Sequence, residues 1–259
     1  MKGLPLSGRR IIVTRPKGQS EALSALIRQA GGEPLEIPAL EIRDLAELAP
    51  FYSVINRLDS FDAAIFVSRN AVRKAFALIG ERPWPGHLQL ATVGNGSREE
   101  LAARGFSGVI TPGGQSDSEA LLAMREFSAV AGRRIAIFRG EGGRSVLGDT
   151  LAARGALVEH AACYRRALPA AGAALLVSAW EGGKVDAVTV SSGEGLANLI
   201  AMLGAGAAER LAATALFVPH PRIADDAARQ GLGPVTVAGP GDAQTAAALV
   251  AYFGGASYN

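Results

Sequence analysis

Residues 135–166 read IAIFRGEGGRSVLGDTLAARGALVEHAACYRR. The apolar run IAIF ends in a basic, glycine-rich loop, and a helical pattern follows. It stops at Gly155, and a second apolar run closes on Tyr164 among basic residues. A strand–loop–helix–strand unit of this kind joins parallel strands. Its loop, Arg139-Gly140-Glu141-Gly142-Gly143-Arg144, opens the helix, where backbone N–H groups and guanidinium groups can face an anion. Two arginines flanking GEGG suit a carboxylate or a phosphate, and the competing role for each is a solvated surface charge.

The same alternation runs along the whole chain. Strand-like runs cover residues 10–14, 34–42, 63–68, 88–93, 108–111, 134–138, 156–164, 187–191, 215–218 and 235–238. Helical patterns fill 20–30, 70–79, 98–104, 118–127, 145–154, 195–203 and 222–230, several of them stopping at glycine. Short apolar strands in strict alternation with helices indicate parallel sheets covered on both faces, an α/β protein. An internal echo divides the ten strands into two sets. GRRIIVTR from Gly8 and GRRIAIFR from Gly132 share a frame, and a long strand follows each after a helix, EPLEIPALEI at 33–42 and ALVEHAACYRRALP at 156–169. We expect those two long strands to cross between domains and pair as a two-stranded connector. One domain is then discontinuous, residues 1–38 plus 169–259, with residues 39–168 inserted; each is a three-layer domain around a parallel sheet.

Composition narrows the function. In a chain of 259 residues, 49% hydrophobic and 19% charged, a packed globular protein is expected. A net charge of +2 gives no footprint for nucleic acid. The single cysteine, Cys163, excludes an intramolecular disulfide and a multi-cysteine metal site, and reads as a small apolar filler. His87, His160 and His220 lack metal-ligand spacing, so no metal is expected. The N-terminus MKGLPLSGRR has no apolar core of a signal peptide, and no apolar run reaches the ~18 residues of a membrane span. A soluble, cytoplasmic protein without a membrane partner is the expectation.

In open parallel sheets, ligands bind outside the carboxyl ends of the strands. The loops there supply the candidate substrate-binding residues Arg15, Ser68, Gly94, Ser97, Arg139, Gly140, Gly142, Gly143, Arg144, Ser191 and Ser192, with a further loop at residues 219–221. For the serines and glycines the competing role is helix capping. Tyr164 ends a strand, where a half-buried aromatic is the plain reading, and Arg165 and Arg166 read as surface charge.

The motifs VTRP at 13–16, FVSRNAV at 66–72, TVGNGS at 92–97, SDSEALL at 116–122, FRGEGGR with its following CYRR, and VSSGEGL at 190–196 stand in one order along the chain. In that order and spacing, over nearly its whole length, the chain resembles the uroporphyrinogen-III synthase family. One loop departs: FVPHPRIADDA has His220 and Pro221 where the family usually has a small polar residue. The resemblance implies two α/β domains joined by a β-ladder and closing over the substrate about that hinge. It implies a monomer without a cofactor, whose partner is the small molecule hydroxymethylbilane. The enzyme would expel water and close the ring to uroporphyrinogen III with ring D inverted. Tyr164 would be the catalytic general acid, and the loop residues above would hold the substrate's carboxylates. Two other readings stay open. Residues 140–145 nearly match the G-x-G-x-x-G of a Rossmann-type NAD(P)-dependent oxidoreductase, with Glu159 placed 19 residues beyond Gly140, although the third glycine is missing. A two-lobed small-molecule binding protein is the other.

Overall fold

A computed structural model describes residues 3–113, 117–143, 145–169, 171–183 and 185–255. Its strands are β1 (Arg10–Val13), β2 (Glu33–Glu36), β3 (Glu41–Arg43), β4 (Ala63–Phe66), β5 (Gln89–Thr92), β6 (Arg134–Gly140), β7 (Leu157–Ala167), β8 (Ala187–Thr189), β9 (Ala215–Val218) and β10 (Val235–Val237). Helices α1 (Glu21–Gln29), α2 (Ala49–Ile55), α3 (Arg69–Ile79), α4 (Asn95–Ala102), α5 (Ser118–Leu122) and α6 (Val146–Ala153) precede β7 in sequence. After β7 come α7 (Gly172–Glu181), α8 (Gly193–Leu203), α9 (Ala207–Ala212), α10 (Pro221–Arg229) and α11 (Asp242–Gly254).

The strands form two five-stranded sheets, ordered β10-β9-β8-β1-β2 and β3-β7-β6-β4-β5. In the first, β1 runs parallel to β2 and β8, and β9 parallel to β8 and β10. In the second, β4 runs parallel to β5 and β6, and β6 parallel to β7. Both faces of each central strand are apolar, as parallel sheets require. Ile12, Val188 and Leu216 face α7, α8 and α10, while Ile11, Val13 and Phe217 face α1 and α11. In the other unit Ala64, Phe66, Ala136 and Phe138 face α2 and α3, while Ile65, Ile135 and Ile137 face α5 and α6. Each sheet is thus the middle of three layers. The rings of Phe66 and Phe138, paired across β4 and β6, stack with centroids 4.6 Å apart and tie the two strands that carry the site.

The chain divides into two compact units, residues up to Glu41 together with those from Ala167 on, and Ile42–Arg166. Both crossings fall inside strands, β3 and β7, that are neighbours in the second sheet. Residues 34–42 are two strands rather than one. Ile37 N–H still bonds Val13 O at 3.1 Å and Ala39 N–H bonds Thr14 O at 3.0 Å, so contact with the end of β1 runs on past Pro38, whose position on this edge strand needs no N–H toward β1. Residues 108–111 are a single bridge, Ile110 to Ala91, since Pro112 follows at once.

The two sheets repeat one construction. The N–H of Arg10, opening β1, bonds the carboxylate of Asp186 just before β8, at 3.0 Å. The N–H of Arg134, opening β6, bonds the carboxylate of Asp62 just before β4, at 2.7 Å.

At the amino end of the second sheet, Glu159 bonds Arg57 at 2.7 Å and Arg134 at 3.0 Å. The hydrogen bond from Arg57 is the main cause that holds its carboxyl below the ordinary value of 4.5, against a smaller cost of burial and with help from Arg134. A depressed carboxylate stabilises the fold above its unfolded pKa and loses that contribution as pH falls through the folded one. Thermal unfolding of the wild type should therefore shift down as pH falls below the ordinary value of 4.5. Glu159→Gln should be less stable near pH 7 and show a shallower acid slope; parallel slopes would show that Glu159 is uncoupled from folding.

Candidate active site

A crevice opens in a parallel sheet where helices leaving neighbouring strands depart to opposite faces. In the 42–166 unit that point lies between β4 and β6, because α3 packs on one face and α6 on the other. In the other unit it lies between β1 and β8, followed by α1 and α8 on opposite faces. Most of the candidate residues lie at these two points, whereas Gly94 and Ser97 start α4, after the edge strand β5. Ser68 and the loop from Arg139 occupy the first, and Arg15, Ser191 and Ser192 the second.

Tyr164 reaches the β4/β6 crevice through an irregularity in β7. Arg139 pairs with Ala162, but Gly140 pairs with Tyr164, so Cys163 is an extra residue, a bulge. Without it Tyr164 would follow Ala162 to the α6 face. With it, Cys163 and Tyr164 both turn to the α2/α3 face, and each is 1% exposed. The phenol oxygen lies 3.2 Å from Ser68 Oγ. Its ring lies flat against Gly140, where a Cβ would stand 2.7 Å from Cε2 and 2.8 Å from Cζ. Glu141 N–H closes the turn by bonding Tyr164 O at 2.7 Å.

The glycine-rich loop is held from within. Arg139 donates Nε to Gly140 O at 3.3 Å and Nη2 to Gly142 O. Gly143 has φ +90°, and a Cβ there would also lie 3.1 Å from Arg139 Nη2. Arg166, read from the sequence as surface charge, stands over the Tyr164 ring with Cζ 5.9 Å from its centroid. The signal was available, because residues two apart on a strand share a face. Arg144 lies outside the described residues.

Ser68 caps α3, accepting the Ala71 N–H at 3.1 Å, and remains partly exposed. Gly94 caps α4 in extended conformation, and Ser97 is buried in its first turn. Arg69 lies close over Gly96 and brings the starts of α3 and α4 together. In the other unit Arg15 pairs with Asp242 at 2.6 Å, and Arg15, Thr189, Ser191 and Thr245 line one small cavity. Ser192 caps α8 through Gly195 N–H at 3.0 Å. His220 does the work of the small polar residue it replaces. Its Nδ1 accepts the Arg222 N–H at 3.2 Å and caps α10.

Other chemistries find little support. Burial pushes the Cys163 thiol up to about 12, and its S–H points at Arg139 O, 3.3 Å away, so it is no nucleophile. Glu159, the acid an NAD-binding reading needs beside the loop, pairs with Ala136, four residues before Gly140 and about 13 Å away along the strand. It is already engaged by two arginines. His160 is held below its ordinary pKa by desolvation, with Arg139 adding to the effect. Among the described residues no group of three His, Cys, Asp or Glu is placed to hold a metal, and no helix is long and apolar enough to cross a membrane.

Comparison with known proteins shows the family and the fold. The sequence profile of a family described as uroporphyrinogen-III synthase HemD matches residues 21–251. The uroporphyrinogen-III synthase of Escherichia coli strain K12 is 31% identical over 195 residues, 74% of this chain and 79% of that protein. That of Salmonella typhimurium is 32% identical over 191 residues, 73% and 78% of the two chains. Among solved structures, a mutant uroporphyrinogen III synthase of the extremely thermophilic bacterium Thermus thermophilus superposes with TM-score 0.64 at 19% identity, covering 96% of this chain and 98% of that one. The enzyme of Helicobacter pylori gives TM-score 0.59 at 15% identity, covering 92% and 96%. At such identities these two speak for the fold.

The Gly140–Tyr164 contact can be tested directly. Gly140→Ala should cost about 1–3 kcal/mol by overpacking, read as a lower thermal midpoint. Adding Tyr164→Ala should relieve the clash, so that the double variant loses less than the sum of the singles. Strict additivity would mean the two residues do not press on one another.

Proposed function

The chain belongs to the uroporphyrinogen-III synthase family, and from that premise we propose how its residues carry out the family's lyase reaction, conversion of hydroxymethylbilane to uroporphyrinogen III with loss of water. The observation that supports this reading most is the Tyr164–Ser68 pair, set at a sheet crevice against Gly140 of the glycine-rich loop. The substrate is a flexible chain of four pyrroles with acetate and propionate side chains. Loss of its hydroxyl leaves an electrophilic azafulvene, which closes unaided to the type I isomer. Forming type III requires attack from the substituted carbon of ring D, through a spiro intermediate that reopens and recloses. The protein's task is therefore to hold and contain, with proton transfer subordinate.

Tyr164 supplies the proton. Its ring is buried, whereas Ser68 is partly exposed, so Ser68 is the member of the pair that meets the leaving hydroxyl. Ser68 O–H protonates that oxygen, Tyr164 O–H replaces the serine proton, and the C–O bond breaks to release water. When ring D is attacked at its free carbon and becomes aromatic again, the proton lost there restores the phenol. Backbone N–H groups at the loops of Gly94, Ser97, Gly140, Gly142 and Gly143, with Ser191 and Ser192 in the other unit, hold carboxylates; Arg15, Arg139 and Arg144 add positive charge. The working domains are proposed as residues 1–38 plus 169–259 and residues 39–168, in a monomer acting in the cytoplasm.

The direct test is to supply freshly made hydroxymethylbilane and resolve uroporphyrin isomers I and III by chromatography; type I alone, at the spontaneous rate, would overturn the reading. Tyr164→Phe keeps the ring and removes the proton, so turnover should fall about 10²-fold with the thermal midpoint little changed. An unchanged rate would leave Tyr164 a packing residue.

Arg144→Ala removes a carboxylate partner without touching the acid. A charge-assisted hydrogen bond is worth about 1.5–3 kcal/mol, so binding should weaken roughly 10- to 150-fold. Below saturation the type I share should rise. Wild-type affinity and isomer ratio would make GEGGR a helix cap alone.

A further inference from the structure

Just beyond β1, Arg15 meets a carboxylate of its own unit. Its Nη1 lies 2.6 Å from Asp242 Oδ1, with the two side chains 22% and 26% exposed. That oxygen is buried and receives no well-aligned hydrogen bond from any described residue, so the contact is one of charge alone. Asp242 opens α11, where the helix start favours a negative charge whether or not Arg15 is near. A cavity of about 30 Å³ adjoins Arg15, with room for roughly two water molecules. Among the described residues that line it, Arg15 is the one with a charged side chain. The guanidinium is therefore filled by an internal carboxylate that directed hydrogen bonds do not fix.

We propose that Asp242 determines what Arg15 accepts: it stands where a substrate carboxylate binds, and yields that place to a polycarboxylate but not to a small anion. The inference rests on the proposed function, in which Arg15 binds substrate, and it takes the existing ion pair as its starting point. The adjoining cavity has no room for a carboxylate and the chain that carries it, so an incoming carboxylate must replace Asp242. For a small anion the exchange gains little, because one negative group leaves Arg15 as another arrives. The substrate carries an acetate and a propionate on every pyrrole. Once some of these are held at other loops, the next is presented at high effective concentration. Asp242, when displaced, keeps the helix start as a partner. Discrimination follows from that difference.

Two measurements are needed: KM and kcat for hydroxymethylbilane, and the equilibrium affinity for uroporphyrin III, an unreactive polycarboxylate, followed by its fluorescence. Asp242→Asn should tighten porphyrin binding about 3- to 10-fold, and the gain in turnover should fall on KM rather than kcat. Sulfate at constant ionic strength should erode the affinity of that variant more than the affinity of the wild type. Asp242→Ser also removes the charge, keeps a residue type favoured at helix starts, and should behave alike. Arg15→Ala should weaken porphyrin binding about 10-fold, and in that background Asp242→Asn should change nothing. An Asp242 that serves only the fold would lower the thermal midpoint on substitution without any gain in affinity.

If the wild type makes type III but the Asp242 variants fail to bind porphyrin more tightly, gain no sensitivity to sulfate, or gain equally without Arg15, the inference is overturned and the proposed function stands. If the wild type makes no type III while both gains appear and require Arg15, Asp242 is upheld as the residue that guards Arg15 and the proposed function fails. If neither type III nor the gains are seen, both fall.

Discussion

A one-residue shift between β6 and β7 sets the geometry on which the rest of the candidate site depends. Successive residues of a strand face opposite ways, so an in-register β7 would send Tyr164 with Ala162 to the α6 layer, away from Ser68. Cys163, inserted opposite the Arg139–Gly140 step, reverses that assignment for every residue after it. Tyr164 turns toward the start of α3, Arg166 comes over its ring, and Arg165 goes to the far side. The bulge has local support. The Cys163 thiol bonds Arg139 O, Glu141 N–H bonds Tyr164 O, and the absence of a side chain at Gly140 lets the ring lie against the backbone. A buried thiol at this point acts as a small wedge.

The second organising fact is repetition. GRRIIVTR and GRRIAIFR supply the central strands β1 and β6. Each opens with an arginine N–H bound by an aspartate that precedes the neighbouring strand, Asp186 before β8 and Asp62 before β4. Six residues after each aspartate stands a serine, Ser192 and Ser68, whose Oγ accepts an N–H from three residues on. At the end of each central strand stands an arginine, Arg15 and Arg139. Both crevices are thus flanked by an arginine and a serine cap. Only in the second has a long strand brought a tyrosine to the pair. The repeat supplies two crevices of one design, and the bulge brings the buried Tyr164 phenol to Ser68 in one of them.

The same repetition explains why charge is used sparingly. Arg15 is engaged by Asp242, Arg139 by its own loop, and Glu159 by two arginines at the opposite end of the sheet. The crevices are lined by helix starts, hydroxyls and glycines, groups that favour anions through backbone N–H and dipole rather than through free charge. A catalyst whose main work is holding a flexible, polyanionic chain in one arrangement has little need of paired carboxylates or a metal.

By itself the sequence determined the class, the parallel sheets, the loops in which the candidates lie, and the family. Those features depend on local periodicity, on glycine and serine at turns, and on motif order, all carried by residues near one another in the chain. His220 shows where that reading falls short, since a cap made by an imidazole nitrogen is not among the residue types by which caps are recognised. Tertiary structure alone decided which way Tyr164 faces, that Arg166 stands over it while Arg139 is turned onto its own loop, and that Glu159 lies at the wrong end of the sheet to serve a nucleotide. The physical reason is common to all three. A bulge is a relation between two strands, visible only in their register, and what a side chain meets depends on groups that the fold brings to it.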